Sequence, residues 1–228
     1  MSEALVSRNE MARTEAGDWY IWQVVTRGVA ENRAAKGEPT VLVMTKPVPW
    51  DPWARYYRDG AHAVITRTRA YPSQALEPKI KHYSRMNFNL ADLEAEDVDP
   101  GALPILLDIE GNVAEGTGYN VAVVANGVIK TPGDSSILQG VSRATMFELA
   151  DRLGIPAQER SLQPYDVYTA DEVFLITTPT FVTPVTSVDH RPIGDRRPGP
   201  VVGRLLAAFS ELVGVDIDNQ MVTRAALL

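Results

Sequence analysis

The stretch Ile105–Pro132, ILLDIEGNVAEGTGYNVAVVANGVIKTP, constrains the fold more than any other part of the chain. It opens with the apolar run Ile105-Leu106-Leu107, which reads as a strand, and Asp108–Asn112 has the composition of a turn. A second strand ends at Glu115, and Asn120–Val124, mostly small and β-branched, is a third. Between them Glu115-Gly116-Thr117-Gly118 forms a loop whose glycines permit close approach of backbone or ligand. Asn126-Gly127 is a strong hairpin signal, because both residues accept the positive φ of a type I′ turn. Val128 and Ile129 lead into a further strand. Short strands joined by tight turns dictate an antiparallel meander. Glu115, before its glycine loop, is placed to set one acid against a ligand that comes close to the main chain. Taken alone, a glutamate before a glycine loop is a weak signal, and a solvated strand end is the commoner reading.

The flanking segments mix strands and helices. Met1–Thr14 is polar and reads as the end of a helix. Trp19–Thr26, Thr40–Met44 and Ala61–Thr66 are strand-like, rich in β-branched and aromatic residues, and Trp53–Asp59 reads as a short helix. Helical periodicity runs from about Ile80 to Glu94 and carries Lys81, Tyr83, Met86, Leu90 and Leu93. After the meander, Arg143–Leu153 has an apolar stripe of Phe147, Leu149, Ala150 and Leu153. Ser142 is a candidate N-cap for this helix and Gly154 stands at C′. Pro164 opens a short helical turn. Glu172–Thr177 and Phe181–Val185 are strands, Arg191–Pro200 is loop, and Pro200–Val213 is an amphipathic helix closed by Gly214. The tail after Asp216 reads as poorly ordered. This order predicts an α+β fold with a largely antiparallel or mixed C-terminal sheet.

Composition narrows the function. The 228 residues carry a net charge of −7, which argues against a general nucleic-acid surface. There is no cysteine, which removes thiolate chemistry and Cys-based metal sites. The histidines, His62, His82 and His190, stand in separate contexts, so no metal centre is expected. No apolar run approaches the roughly 20 residues needed to span a bilayer, and the N-terminus lacks the apolar core of a signal peptide. No membrane association and a cytoplasmic location are the expectations.

Six segments together carry a resemblance: YIWQVVTRG (Tyr20–Gly28), LEPKIKHYSRMNFNLADLEA (Leu76–Ala95), GNVAEGTGYN (Gly111–Asn120), SSILQGVSR (Ser135–Arg143), TADEVFLITTPTFVTPV (Thr169–Val185) and RPIGDRRPGPVVGRL (Arg191–Leu205). In order and spacing they resemble the class IV, or fold type IV, pyridoxal-phosphate aminotransferases. That family includes branched-chain amino acid, D-amino acid and (R)-amine transaminases, with aminodeoxychorismate lyase as a non-transaminase member. The resemblance implies part of a small α/β N-terminal domain over residues 1–73. Over residues 74–228 it implies a C-terminal pyridoxal-phosphate domain, a mixed-sheet pseudo-barrel with flanking helices.

The resemblance also assigns roles. Lys81 matches the Schiff-base lysine, which moves the proton during catalysis; Lys79, two positions earlier, is an ordinary surface lysine. Glu115 matches the carboxylate that pairs with the pyridine nitrogen. Val141 and Ser142 match a phosphate site at a helix N-terminus, where free N–H groups and the helix dipole favour a dianion. Thr178 matches a second phosphate-contacting hydroxyl. Arg27 matches an arginine near the substrate carboxylate in D-amino acid enzymes. Tyr119 is a candidate for the wall of the substrate site and equally for the core.

Two departures from the family pattern bear on function. The family places several strands and an H-x-x-R-L segment, with a phosphate-binding arginine, ahead of the YIWQVVTRG strand, and no such segment precedes it here. The Lys81 segment lacks the Asn-Tyr pair common after the lysine in branched-chain enzymes, and Arg85 and Met86 stand in that region. The function implied is transamination of a branched-chain-like amino acid or an amine with a 2-oxo acid, by a homodimer. Two alternatives stay open: a lyase of the aminodeoxychorismate type, and a truncated inactive paralogue that keeps the fold.

Overall fold

The computed structural model describes residues 18–32, 35 and 37–226. The helix expected over Met1–Thr14 lies outside the described residues. The chain divides into two compact units, one of residues 1–52 with 221–228 and one of residues 53–220.

In the first unit, β1 (Trp19–Thr26) and β2 (Thr40–Pro47) form an antiparallel pair in register from Trp19↔Pro47 to Thr26↔Thr40. Aromatic and β-branched residues dominate β1, as a pleated surface favours. An ion pair of 3.4 Å joins Arg224 to Asp18 within this unit.

The larger unit is built on nine strands: β3 (Ala61–Arg69), β4 (Leu103–Leu107), β5 (Val113–Gly116), β6 (Asn120–Ala125), β7 (Val128–Thr131), β8 (Ala157–Glu159), β9 (Glu172–Thr177), β10 (Phe181–Val188) and β11 (Arg191–Pro192). Six of them close on themselves: β3 pairs β4, then β5, β6, β9 and β10 follow, and β10 returns to β3. The β3–β4 and β3–β10 pairs are parallel and the other four antiparallel, so the barrel is mixed, as expected. The meander is present, and its turn residues Asn126 and Gly127 have φ of 54° and 73°.

The period-2 alternation of strand side chains decides what lies on each side of the barrel wall. Val121 and Val123 of β6, with Val173 and Leu175 of β9, belong to one core cluster together with Ile105, Leu107 and Val113. Their sequence neighbours Ala122, Val124, Phe174 and Ile176 belong to another, which includes the helices α3 (Val141–Arg152) and α5 (Pro200–Val213) through Met146, Leu149 and Leu205. A third cluster joins Leu106 and Ala114 to Phe88 and Ala91 of α2 (Met86–Val98). Each apolar strand is therefore covered on both faces, which is why these strands read as continuous apolar runs rather than alternating ones.

Several expectations are corrected. The helix expected from Ile80 begins at Met86, and residues 70–85 form an irregular segment, so Lys81 lies on a loop. Met86, Leu90 and Leu93, which carry its helical periodicity, are exposed, and the helix buries Asn87, Phe88, Ala91 and Ala95. This helix approaches the sheet closely, and Ala91 and Ala95 pack in the core clusters beneath it. The tail after Asp216 is helical: α6 spans Ile217–Ala225. Two further helices are α1 (Trp50–Asp59) and the short α4 (Pro164–Tyr168). Residues 53–73, assigned to the first domain from sequence, group with the barrel, because β3 hydrogen-bonds to β4 and β10.

Candidate active site

A cavity of about 320 Å³ opens in the larger unit, lined among others by Lys81, Glu115, Tyr119, Val141, Ser142 and Thr178. That volume is of the size that holds a small molecule. Six of the seven residues singled out from sequence thus meet at one place, although they come from separate segments of the chain. The seventh, Arg27, belongs to the first unit, where its Nη2 donates to the Ala35 carbonyl at 2.9 Å.

Glu115 sits at the end of β5, where it faces Asn120 of β6 across the hairpin. It is 8% exposed. Its Oε2 accepts from the Leu138 N–H at 2.9 Å and from Asn120 Nδ2 at 3.5 Å, while Asn120 Nδ2 also donates to the Leu138 carbonyl at 2.9 Å. Burial pushes the carboxyl up to about 7, against the Leu138 N–H and the charges of Lys81 and Arg85, which favour ionisation. The solvated strand end is therefore excluded. This is a buried acid, aimed by two neighbours and lacking a full counter-charge.

Lys81 differs from Lys79 in its surroundings. Lys79 pairs with Glu77 at 3.5 Å and Asp134 at 4.0 Å. Lys81 lines the cavity and has no hydrogen-bond or ion-pair partner among the described residues, although its charge reaches Glu115. An exposed amine on a loop can swing, whereas one on the expected helix would have been held to one face.

The start of α3 forms another wall of the cavity. Gly140, not Ser142, is the N-cap, and no side chain caps the helix, so Val141 and Ser142 lie in its first turn. Their N–H groups are among the donors that a helix leaves unpaired. A Cβ on Gly140 would stand 2.3 Å from Asn120 Oδ1, so glycine is required for Asn120 to reach Glu115 and Leu138. Arg143 anchors the helix from below. Buried, it donates through Nη2 to the Pro132 carbonyl and to Glu159 Oε1, each at 2.8 Å. Thr178, exposed after β9, brings a second hydroxyl to the cavity.

Tyr119 borders the cavity and also packs against the barrel core. Its ring lines the cavity and presses on Gly116, where a Cβ would lie 1.8 Å from Cε2. Its hydroxyl donates to the Pro104 carbonyl at 2.8 Å, and burial pushes its pKa well above the ordinary phenol value. Sequence reasoning did not single out Asn120, Leu138 or Gly140. All three stand inside the motif segments GNVAEGTGYN and SSILQGVSR, which was the available signal. Arg85 also lines the cavity; it donates to the Thr117 carbonyl and lies 4.5 Å from the Phe88 ring centre.

An amine, a buried acid and an uncapped helix N-terminus around one cavity suit a ligand with an aldehyde, a basic ring nitrogen and a phosphate. The closed mixed barrel is the fold of the type IV pyridoxal-phosphate enzymes. The family described as amino-transferase class IV matches residues 3–188. A putative branched-chain-amino-acid aminotransferase of Methanocaldococcus jannaschii is 36% identical over 201 residues, covering 86% of this chain and 67% of its own. A branched-chain-amino-acid aminotransferase-like protein of Arabidopsis thaliana is 32% identical over 92% of this chain and 41% of its own length. The crystal structure of the branched-chain amino acid aminotransferase from Thermobaculum terrenum, in its PLP-bound holo form, superposes with a TM-score of 0.77 at 29% identity, covering 95% of this chain and 70% of that one. The chain belongs to the class IV aminotransferase family, whose cofactor is pyridoxal 5'-phosphate. It spans from about two fifths to seven tenths of the length of these relatives.

Proposed function

We propose that this chain catalyses transamination between an amino acid of the branched-chain type, or an amine, and a 2-oxo acid, with Lys81 as the covalent anchor of the cofactor. The observation that carries the reading is the meeting of Lys81, Glu115 and the open N-terminus of α3 at one cavity. The branched-chain preference rests on the names of the relatives.

The cofactor, when bound, supplies the electron sink for the substrate carbanion. The protein supplies position and charge. Lys81, exposed and unpaired, holds the cofactor and carries the proton at its Nζ. Glu115 would pair with the ring nitrogen, and its raised pKa is what a carboxylate awaiting a cationic partner shows in a buried site. Val141 and Ser142 offer main-chain N–H groups and a hydroxyl to the phosphate, with Thr178 as a second hydroxyl. Tyr119 forms a rigid wall, because its hydroxyl is held by Pro104. Arg27, a guanidinium suited to a carboxylate, is proposed as a substrate contact only through the family resemblance of its segment.

A homodimer is part of the proposal. The exposed apolar residues Ile80, Tyr83, Met86, Leu90 and Leu93 on and before α2 support it as a face for a second copy. Addition of pyridoxal phosphate, borohydride reduction and peptide mapping test the anchor: the adduct is expected at Lys81. Reduction onto Lys79 or another lysine, with amine transfer intact, would refute the assignment. Keto-acid-dependent amine transfer from a branched-chain donor, compared with release of pyruvate from aminodeoxychorismate, separates transferase from lyase.

A further inference from the structure

The second cluster of chemically active side chains lies outside the cofactor cavity, beside the start of β3, the end of α2 and the end of β10. His62 is the second residue of β3, Asp99 is the C-cap of α2, and His190 stands in the turn between β10 and β11. Parallel pairing of β3 with β10 sets Ser187 beside His62 and Val188 beside Ala63, which brings residues far apart in sequence into contact. The rings of His62 and His190 stack at 5.1 Å between centroids, 20° from parallel.

We propose that His62, Asp99 and His190 form a binding site for one divalent transition-metal ion of the zinc type. Their candidate donor atoms all lie within 4.8 Å of one another. In a tetrahedral zinc site, bonds of about 2.0–2.1 Å to histidine nitrogen place neighbouring donors about 3.3 Å apart. The separation between His62 Nε2 and Asp99 Oδ2 is already 3.4 Å. His190 is the exposed donor, and a turn of its ring closes the remainder.

Two features beyond proximity distinguish this cluster from a surface ion pair. The first is His62 itself. Its Nδ1 is 2.7 Å from Ser187 Oγ, an arrangement that fixes the ring and turns Nε2 toward Asp99. That Nε2 atom is buried and has no hydrogen-bond partner among the described residues. A metal-bound histidine has this pattern, with one nitrogen held by an outer partner and the other directed at the ion. The second is the turn that carries His190. Asp189 and His190 both have left-handed backbone, φ 49° and 62°, which is uncommon for residues other than glycine. Asp189 locks the turn: its carboxylate accepts from the Ile65 N–H at 3.1 Å and from the Tyr168 hydroxyl at 2.5 Å, and its own N–H donates to the Ala63 carbonyl at 3.0 Å. His190 is thus presented beside His62 by a turn secured at three points.

Two imidazoles and a carboxylate suit zinc, nickel or copper better than magnesium or calcium, which prefer all-oxygen shells. With three protein donors the fourth position is left to water. The ion would tie together the start of β3, the end of α2 and the β10–β11 turn, independently of the cofactor cavity.

The test is calorimetric titration of the untagged full chain, saturated with pyridoxal phosphate, with zinc sulfate. Cobalt substitution alongside it reads geometry from the visible absorption. The expected result is one ion per chain, a tetrahedral cobalt spectrum, and no comparable heat with magnesium. His190→Asn keeps a residue that tolerates positive φ on an exposed turn and is expected to weaken zinc at least tenfold. Asp99→Asn is expected to do the same, and Ser187→Ala to weaken it roughly tenfold through loss of ring orientation. Absence of zinc binding at micromolar concentrations overturns the proposal. So does zinc binding that His190→Asn and Asp99→Asn leave unchanged, which would place the ion elsewhere.

Discussion

Replacing Glu115 by glutamine should remove one pH-dependent contribution to stability. In the folded protein burial pushes this carboxyl from 4.5 up to about 7. Between those values the unfolded chain has released the proton while the folded protein keeps it. The folded state then binds more protons, so stability falls as pH rises through this window. The loss is absent below about 4.5 and complete above about 7. At about 1.4 kcal/mol per pKa unit it amounts to roughly 3 kcal/mol. The glutamine of Glu115→Gln keeps the shape and an oxygen for the Leu138 N–H but has no proton to lose. Urea denaturation of cofactor-free protein, followed by circular dichroism from pH 4 to pH 8, measures the difference between variant and wild type. That difference should move in favour of the variant by roughly 3 kcal/mol across the range. In thermal melts this is roughly 6–12 °C, at the 2–4 °C per kcal/mol of a chain this size. Cofactor should flatten the wild-type profile, because a cationic ring nitrogen beside the carboxylate lowers its pKa. A difference that stays constant with pH, or that grows toward acid, would refute the claim that Glu115 is buried without a full counter-charge.

Further outcomes follow from the same geometry. Lys81→Ala should remove the borohydride-reducible cofactor adduct while changing stability by less than about 0.5 kcal/mol, since the side chain is exposed; reduction with mass mapping and a melt measure both. Gly140→Ala drives a methyl into Asn120 Oδ1, and displacing that amide should cost about 1–3 kcal/mol and weaken cofactor binding, read by equilibrium titration. Glu172→Ala removes the carboxylate that accepts from Val201 N–H at 2.8 Å and Val202 N–H at 3.0 Å, and should destabilise the protein by about 2 kcal/mol, read by urea denaturation, without altering where the cofactor attaches.

The barrel was legible because its signals are local. Asn126-Gly127 fixed a hairpin, and the runs at Ile105, Asn120 and Glu172 have the length and β-branching of buried strands. The reading failed where an element is defined by its neighbours. Met86, Leu90 and Leu93 have helical spacing and the right chemistry for a core, yet Ala91 and Ala95 face the sheet, because close helix–sheet approach selects small side chains. Ile80–Arg85 shares composition with the helix that follows, so nothing local marked Lys81 as a loop residue. Asn120, Leu138 and Gly140 act on Glu115 through contacts across the β5–β6 hairpin and from the segment before α3, which spacing along the chain does not encode. The pairing of His62 with His190 depends on the β3–β10 register, set by the closure of the whole barrel.

The helices α3 and α5 show why the site also needed the structure. Both begin after a glycine with no cap of their own. At α5 the gap is filled from β9, since Glu172 receives the N–H groups of Val201 and Val202. At α3 the nearby strand carboxylate, Glu115, is turned away to the Leu138 N–H, and no side chain caps Val141 or Ser142. One helix dipole is neutralised inside the fold and the other is left facing a cavity. In sequence the two beginnings, Gly140-Val141 and Gly199-Pro200, look much alike. Their difference lies in which carboxylate reaches them, and that difference caps one helix from within the fold and leaves the other open to the cavity.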